Sequence, residues 1–247
     1  MKFGGLGKLT DLDMAQWKSI PNFLAESMWT GDFANGAFDA AINDYGGELG
    51  RRFHPAIPFT AISRYTKEGE TVWDPMSGFG TTYDIGTILG RNVIASDLHS
   101  LNANIIEADA TRWNPGSESV DLVIVQPNYM NLHSDKWDAP MADTDSTAEF
   151  SMILSRCMDN IEHALKPGRV LCIVAGDIRL KGALMPVEYL VYDVMKTFNM
   201  FRMFGRVTCD YYVGKRKNYF AYKKYSLLKD GLFVIGRDTA LFYQKAL

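Results

Sequence analysis

Two apolar runs that each open into a polar loop constrain the fold of this chain most. The first is Val72-Trp-Asp, followed by Pro-Met-Ser-Gly-Phe-Gly-Thr-Thr82, and the second is Val123-Ile-Val, followed by Gln-Pro-Asn-Tyr129. Short apolar runs are typical of strands that are buried on both faces of a parallel sheet. Ligands of open α/β sheets bind at the carboxyl ends of such strands, so we expect the two loops to share one site.

Strand and helix patterns alternate along most of the chain. The predicted strands are Thr71–Asp74, Asn92–Ser96, Asn104–Ala108, Val120–Val125, Arg169–Ala175, Phe204–Asp210 and Leu232–Gln244. The predicted helices run to about Tyr65, over Thr81–Leu89 with Gly90 closing the helix, from the capping box Ser146-Thr-Ala-Glu149 to Lys166, and from Pro186 to Phe198. This alternation predicts a doubly wound α/β fold with a mostly parallel sheet.

Length and composition indicate one large domain, or one domain with an extension. The chain has 247 residues, 47% apolar and 22% charged, and a formal charge of −3 that argues against a purely electrostatic nucleic-acid binder. No apolar run is long enough to cross a bilayer and no signal-peptide pattern is evident, so we expect a cytoplasmic protein. Three widely spaced cysteines in apolar contexts, Cys157, Cys172 and Cys209, are expected to be reduced core thiols.

Residues 1–50 are the least informative part of the sequence. A short helix is predicted around Leu12–Trp29, after which glycines break any periodicity. We expect this region to form an arm or lid on the domain formed by residues 51–247.

The glycine loop indicates a nucleoside ligand. Gly78 and Gly80 allow a tight turn and a close backbone approach to a ligand, but the sequence lacks the third glycine of dinucleotide-binding loops and the Gly-Lys-Ser/Thr of phosphate loops. Asp97, at the end of the next strand, is placed to accept hydrogen bonds from ribose hydroxyls. Asp109 ends the following strand, where it could receive an adenine amino group. These three positions fit a nucleoside without phosphates.

The same residues carry a family resemblance. Asp74-Pro-Met-Ser-Gly-Phe-Gly-Thr-Thr82 resembles the cofactor loop of S-adenosylmethionine-dependent amino-methyltransferases that act on DNA, and His54-Pro-Ala-Ile-Pro58 resembles their preceding segment. Gly176-Asp-Ile-Arg179 and Thr239–Lys245 are similar to later strands of that family. The resemblance implies a class I, Rossmann-like methyltransferase with seven strands, of which the C-terminal strand is antiparallel.

The resemblance also implies S-adenosyl-L-methionine as the cofactor. The implied cofactor-binding residues are His54, Pro55, Asp74, Pro75, Met76, Ser77, Gly78, Gly80, Thr81, Thr82, Asp97, Leu98, Asp109 and Ala110.

Gln126-Pro-Asn-Tyr129 stands where the family carries Asp/Asn/Ser-Pro-Pro-Tyr/Trp, its catalytic loop. In that loop a polar side chain and the first proline's carbonyl accept hydrogen bonds from an exocyclic amino group, and the aromatic ring stacks on a flipped base. The resemblance therefore implies Gln126, Pro127, Asn128 and Tyr129 as catalytic residues. Gln126 is longer than the usual acceptor, and Asn128 replaces the second proline.

A basic segment near the carboxyl end is predicted to contact nucleic acid. Its cations are Lys215, Arg216, Lys217, Lys223 and Lys224, and aromatic residues are interleaved with them. Such a mixture suits phosphate contacts and base stacking, although a solvated hairpin tip at about residues 211–229 would have the same composition.

The leading hypothesis is methyl transfer to N6 of adenine or N4 of cytosine in double-stranded DNA. RNA or another amine or amide acceptor remains an alternative, as does a non-catalytic protein with a cofactor fold. No histidine and cysteine are paired at metal-ligand spacing, so no metal is expected. The target base, the recognition sequence and the oligomeric state do not follow from the sequence.

Overall fold

A computed structural model describes residues 1–6, 28–29, 53, 55–100, 103–130, 140–180, 183–210 and 237–247. The strands are β1 (Met28–Trp29), β2 (Thr71–Asp74), β3 (Asn92–Asp97), β4 (Ile105–Glu107), β5 (Val120–Val125), β6 (Leu165–Leu180), β7 (Ala183–Pro186), β8 (Phe201–Asp210) and β9 (Arg237–Lys245). The helices are α1 (Ala56–Tyr65), α2 (Thr81–Ile88), α3 (Pro140–Asp143), α4 (Thr147–Ala164) and α5 (Val187–Met195).

The strands form a mixed, mostly parallel sheet in the order β1-β8-β9-β6-β5-β2-β3-β4, with β7 paired to β6. β9 runs antiparallel to both of its neighbours, and β7 is antiparallel to β6. From β2 the chain proceeds to β3 and β4 on one side and then returns to β5 on the other. The predicted α/β fold is confirmed, and seven strands from β4 to β8 form the predicted class I arrangement with its antiparallel C-terminal strand.

Both faces of the sheet are buried, because helices cover each one. Leu122 and Ile124 of β5 pack in one apolar cluster with α1, whereas Val123 and Val125 pack in another with α4 and α5. All six residues of β5 are buried. This explains why Leu122–Val125 is an uninterrupted apolar run in the sequence.

The start of α4 differs in detail from the predicted capping box. The Ser146 Oγ accepts a hydrogen bond from the Glu149 N–H at 3.3 Å, as predicted. The Glu149 carboxylate accepts from the Thr144 hydroxyl at 2.6 Å, and that hydroxyl accepts from the Ser146 N–H at 3.0 Å. The Thr144 hydroxyl therefore links the Ser146 N–H to the Glu149 carboxylate, which would contact each other directly in a capping box. Helix α4 begins where the sequence predicts.

An ion-pair cluster joins the amino ends of the central strands. Asp121 of β5 accepts hydrogen bonds from the Thr71 N–H at 3.0 Å and the Lys166 ammonium at 2.8 Å. Arg169 of β6 pairs with Asp121 at 3.0 Å and also with Glu70. The cluster lies at the edge opposite the two loops, so it aligns the strands that end in them.

Two predictions about the elements need correction. Met28–Trp29 is a strand and not the end of a helix, since it pairs in parallel with Thr208 and Cys209 of β8. The strand predicted at Arg169–Ala175 extends to Leu180 and turns back as β7, so that β1 and β7 are added to the seven predicted strands. The rest of the predicted Leu12–Trp29 helix lies outside the described residues.

Residues 1–6 lie against the last strands of the sheet. The Leu247 N–H donates to the Lys2 carbonyl at 2.9 Å, and the Arg202 guanidinium lies 4.7 Å from the centre of the Phe3 ring. The assignment of residues 1–50 as an arm stays a prediction. Within the described part of the chain, no helix is both long and apolar enough to span a membrane.

Candidate cofactor and acceptor site

The candidate site lies where the strand order reverses, between β2 and β5. The loops after β2, β3 and β5 all leave the same edge of the sheet, because these strands are parallel. The antiparallel strand β9 begins at that edge, with Asp238 beside Gly176 of β6. Such a reversal point is where open α/β sheets bind their ligands.

The glycine loop after β2 is fastened to the end of β3. Gly78 has φ +52° and Gly80 has φ +84°, which are left-handed conformations that side chains rarely adopt. The Ser77 N–H donates to the Ser96 carbonyl at 3.0 Å, and the Gly80 N–H donates to the Ser77 carbonyl at 2.8 Å. The predicted requirement for glycine in this turn is confirmed.

Asp97 holds this loop through backbone hydrogen bonds. Its Oδ2 accepts from the Gly78 N–H at 2.7 Å, and its Oδ1 accepts from the His99 N–H at 3.2 Å. Burial raises the pKa of the Asp97 carboxyl, and these N–H donors oppose the shift. Each oxygen keeps a further lone pair, so the carboxylate can still accept from a ligand hydroxyl. Leu98 lies between Asp97 and His99 in the chain and is partly buried.

Asp109 caps a turn of its own. Its Oδ1 accepts from the Thr111 N–H at 2.8 Å and the Thr111 hydroxyl at 2.7 Å, and its Oδ2 lies 3.5 Å from Arg112 Nε. The side chain is 37% exposed. Ala110 is buried, and its carbonyl accepts from the Asn160 amide at 3.0 Å. Asp109 is thus oriented by local contacts, and the Ala108 N–H ties this segment to the Asp97 carbonyl at 2.8 Å.

Asp74 is the least satisfied carboxylate of the cofactor loop. It is fully buried, its Oδ1 accepts from the Met76 N–H at 3.1 Å, and its Oδ2 has no hydrogen-bond partner among the described residues. Burial raises the pKa of Asp74 to about 7, and the nearby Thr82 hydroxyl and the Met76 N–H oppose the shift, although the Thr82 hydroxyl does not have full hydrogen-bond geometry to Asp74. The buried Ser77 and Thr82 hydroxyls also lack partners in the described structure.

Three unsatisfied polar atoms in one loop are costly unless a ligand completes them. Asp74 Oδ2 would suit a cationic donor, and the two hydroxyls can donate or accept. Pro55, Pro75 and Thr81 are buried around this loop, and Met76 is partly buried against the core. His54 lies outside the described residues, so its assignment stays a prediction.

The loop after β5 is tied to the start of β9. Gln126 Nε2 donates to the Tyr129 hydroxyl at 2.8 Å, and that hydroxyl lies 3.5 Å from Asp238 Oδ1. Pro127 is buried, whereas Asn128 is exposed. Burial raises the pKa of Tyr129 well above its ordinary value, and the neighbouring Asp238 adds to the shift. The loop therefore has a fixed side-chain network on its inner side.

Asp238 is a site residue that the sequence reasoning missed. It is 4% exposed, its Oδ2 lacks a partner among the described residues, and burial raises its pKa to about 7. It stands 109 residues beyond Tyr129 in the chain. The available signal was a charged residue just before the apolar run Ala240–Tyr243 near the carboxyl end, which by itself indicates no partner.

The predicted nucleic-acid-binding residues are not among the described ones. Lys215, Arg216, Lys217, Lys223 and Lys224 all fall between Asp210 and Arg237, and their role stays a prediction. The prediction for the thiols is confirmed, because Cys157, Cys172 and Cys209 are buried and free.

No protein-family model and no curated protein sequence matches this chain. A TehB-like S-adenosylmethionine-dependent methyltransferase from Corynebacterium glutamicum is similar in structure over 84% of this chain and 96% of its own, with 12% identity and a TM-score of 0.49. Phosphoethanolamine N-methyltransferase 2 of Haemonchus contortus, solved with phosphomonomethylethanolamine and S-adenosylhomocysteine, is similar over 77% and 52%, with 14% identity and a TM-score of 0.44.

A candidate DNA modification methylase from Thermus thermophilus, solved with S-adenosyl-L-methionine, is similar over 57% of this chain and 54% of its own. The identity is 18% and the TM-score is 0.40. This chain spans about half the length of the Haemonchus and Thermus proteins. Similarities at this level do not decide the ligand or the reaction.

Proposed function

We propose that this protein is an S-adenosylmethionine-dependent methyltransferase that methylates an exocyclic amino group of a base in DNA, at N6 of adenine or N4 of cytosine. The observation that carries the proposal is the position of two loops on either side of the β2/β5 reversal point. One is a glycine loop next to the Asp74 carboxylate, one oxygen of which has no partner among the described residues, and the other contains Gln126 and Pro127.

The residues of the first loop fit this cofactor in chemical type. Asp74 Oδ2 is a buried acceptor without a donor in the described part of the chain, which suits the ammonium of the methionine part. Asp97 can accept from ribose hydroxyls while it holds the loop, and Asp109 is available to an adenine amino group. When bound, S-adenosylmethionine supplies a methyl group on a positively charged sulfur.

On the acceptor side, the chain provides hydrogen-bond acceptors for the substrate's amino group. The lone pair of such an amino group is delocalised into the ring, which makes it a poor nucleophile. Gln126 Oε1 and the Pro127 carbonyl would accept hydrogen bonds from the two N–H groups of this amino group. These bonds would direct the nitrogen lone pair towards the methyl group of the cofactor. The Tyr129 ring would stack on the base. Catalysis then depends on orientation and electrostatics.

The burial of the thiols favours direct transfer over a covalent cysteine route. Burial raises the pKa of Cys157 to about 12, and it raises the pKa values of Cys172 and Cys209 well above their ordinary values. A buried thiol with a raised pKa does not supply a thiolate nucleophile near neutral pH.

The nucleic-acid side of the proposal depends on the basic segment. Between Tyr211 and Lys229 the sequence has six lysines and arginines and no acidic residue, in a chain whose overall charge is −3. A local concentration of cations with interleaved aromatic residues suits phosphate contacts and stacking.

Transfer of tritium from labelled S-adenosylmethionine to varied double-stranded DNA, with digestion to nucleosides and mass spectrometry, tests the proposal. We expect N6-methyladenine or N4-methylcytosine, and we expect Gln126→Ala to lower the rate by about 100-fold because an oriented polar group is lost. Asp193→Asn, on the exposed side of α5, is the control and should retain the rate. Absence of both methylated bases across a broad set of sequences would contradict DNA as the substrate.

Gln126 and Asn128 replace residues of the family's loop, which keeps RNA and other amine or amide acceptors open as a second proposal. Competition among DNA, RNA and small acceptors in the same assay separates these substrates. Calorimetry addresses the third possibility, since a protein that binds no S-adenosylmethionine would be a non-catalytic member of this fold.

A further inference from the structure

The side chains that follow β5 and begin β9 form a directional chain of hydrogen bonds. Gln126 Nε2 donates to the Tyr129 hydroxyl at 2.8 Å, and this hydroxyl lies 3.5 Å from Asp238 Oδ1. An ionised carboxylate can only accept hydrogen bonds, so the single hydroxyl proton of Tyr129 must point to Asp238. Towards Gln126 the tyrosine oxygen can then only accept a hydrogen bond, so the Gln126 side chain must point its NH₂ group at Tyr129.

We propose that Asp238 is a positioning residue of the acceptor site, which acts through Tyr129 to turn the Gln126 amide so that Oε1 faces the substrate. This inference depends on the proposed function for its consequence, because only a substrate amino group requires an acceptor at that place. The hydrogen-bond chain itself is independent of any activity.

The need for such a device follows from the residue type at position 126. A carboxylate in this place would offer two acceptor oxygens, whichever way it turned. The two ends of an amide differ, and the wrong orientation would present NH₂ to an amino group that also donates. Among the described residues no donor to Gln126 Oε1 is present, so the bond to Tyr129 is the contact within this part of the chain that selects the orientation.

The backbone around Asp238 fits this role. Asp238 is paired with Gly176 of β6 and with Cys209 of β8. A Cβ at Gly176 would lie 2.5 Å from Asp238 Oδ1 and 2.9 Å from the Tyr129 hydroxyl oxygen, so a side chain there would separate the two. The absence of a side chain at Gly176 allows the carboxylate and the hydroxyl to approach each other.

The direction of the chain depends on the protonation of Asp238. A protonated Asp238 can donate to Tyr129, and the Tyr129 proton is then free to point at Gln126, which favours the reversed amide. The pKa of Asp238 is raised to about 7, chiefly by burial; the Tyr129 hydrogen bond opposes the shift, and the nearby Asp177 of β6 adds to it. The Cys209 thiol also faces Asp238, and its own pKa is raised. We therefore expect the amide to change environment near pH 7.

Nuclear magnetic resonance of protein labelled with ¹⁵N-glutamine tests the orientation without an activity assay. The sequence has three glutamines, Gln16, Gln126 and Gln244, and loss of signals in Gln126→Glu assigns the relevant pair. We expect the Gln126 amide signals to shift with a midpoint near pH 7, and this titration to vanish in Asp238→Asn and in Tyr129→Phe. Gln244, which is held by Arg202 and the Gly168 carbonyl, serves as the internal control. Gln126 signals that neither titrate nor respond to either variant would overturn the proposal.

Kinetics then connect the orientation to catalysis. We expect Asp238→Asn and Tyr129→Phe each to lower kcat by about tenfold, the equivalent of one lost hydrogen bond, with KM for S-adenosylmethionine unchanged. In a Gln126→Glu background, whose side chain accepts in either orientation, Asp238→Asn should change kcat by less than about twofold. An equal loss in both backgrounds would show that Asp238 acts only on stability and would overturn the proposal. A titrating Gln126 amide in a protein that methylates no base would support the hydrogen-bond chain and reject the proposed function.

Discussion

At the scale of single residues, two buried carboxylates determine the electrostatics of the candidate site. Asp74 and Asp238 each have one oxygen with a described neighbour and one without, and burial raises the pKa of both to about 7. They lie at the same edge of the sheet, at the end of β2 and the start of β9. We assign them different roles, since Asp74 belongs to the cofactor loop and Asp238 contacts the acceptor loop.

Binding of S-adenosylmethionine should strengthen as the pH rises through about 7. An ammonium group is attracted to ionised Asp74, whereas below this pKa the carboxyl is protonated and neutral, so binding must release a proton. We expect up to about tenfold tighter binding per pH unit below the pKa, because one proton is exchanged. Calorimetry between pH 5.5 and pH 8.5 measures this dependence.

Two variants separate Asp74 from the other carboxylates of the site. Asp74→Asn should weaken binding and remove the pH dependence, whereas Asp109→Asn should weaken binding and retain it. Wild-type affinity that is equal at both ends of the pH range would contradict a role for Asp74 as the partner of the ammonium.

At the scale of secondary-structure elements, α2 lies close to β3 because residue 86 is glycine. A Cβ at Gly86 would overlap Val93 Cγ2 and lie 3.5 Å from Ile62 of α1. Since α2 starts directly after Gly80, this close packing holds the helix that carries Thr81 and Thr82 over the sheet.

Gly86→Ala should destabilise the protein by up to about 2 kcal/mol, because an overpacking cost of about 1–3 kcal/mol outweighs the gain of about 1 kcal/mol in helix propensity. Urea denaturation measures the change. Gly86→Ala combined with Val93→Ala should recover most of the loss, since the overlapping methyl group is removed. A single variant that is as stable as the wild type would show that Val93 can move aside at no cost.

At the scale of the whole molecule, stability should decrease between about pH 4 and pH 7. Folding raises the pKa values of Asp74 and Asp238 from 3.8 to about 7, so the folded state retains two protons that the unfolded state releases in this window. The contribution of each group is full below its unfolded pKa and is lost as the pH rises through the folded value. Each can contribute up to about 4 kcal/mol, at 1.36 kcal/mol per pKa unit.

Urea denaturation at intervals from pH 5 to pH 8 checks this expectation. Asp74→Asn combined with Asp238→Asn should flatten the pH dependence of the unfolding free energy, whereas Asp193→Asn should leave it unchanged. If the double variant retains the wild-type slope, other groups must be responsible for it.

Local signals predicted much of this architecture. Strand β2 was predicted at its observed bounds, and so was β5, because a strand buried on both faces is mostly apolar. The start of α4 followed from its capping residues. β1 and β7 were missed, since a two-residue strand and a short return strand are defined by their partners and have no pattern of their own.

The sequence by itself determined the chemistry offered by the two loops, because glycine conformations and side-chain types are local properties. It placed Gly78, Gly80 and Asp97 around one turn, and that arrangement is present. Only the tertiary structure decided that Asp74 Oδ2 lacks a donor from any described residue and that Asp238 lies beside Tyr129. Burial and hydrogen-bond partners depend on which distant segments exclude water from a group, and the pairing of β9 with β6 supplied those segments here.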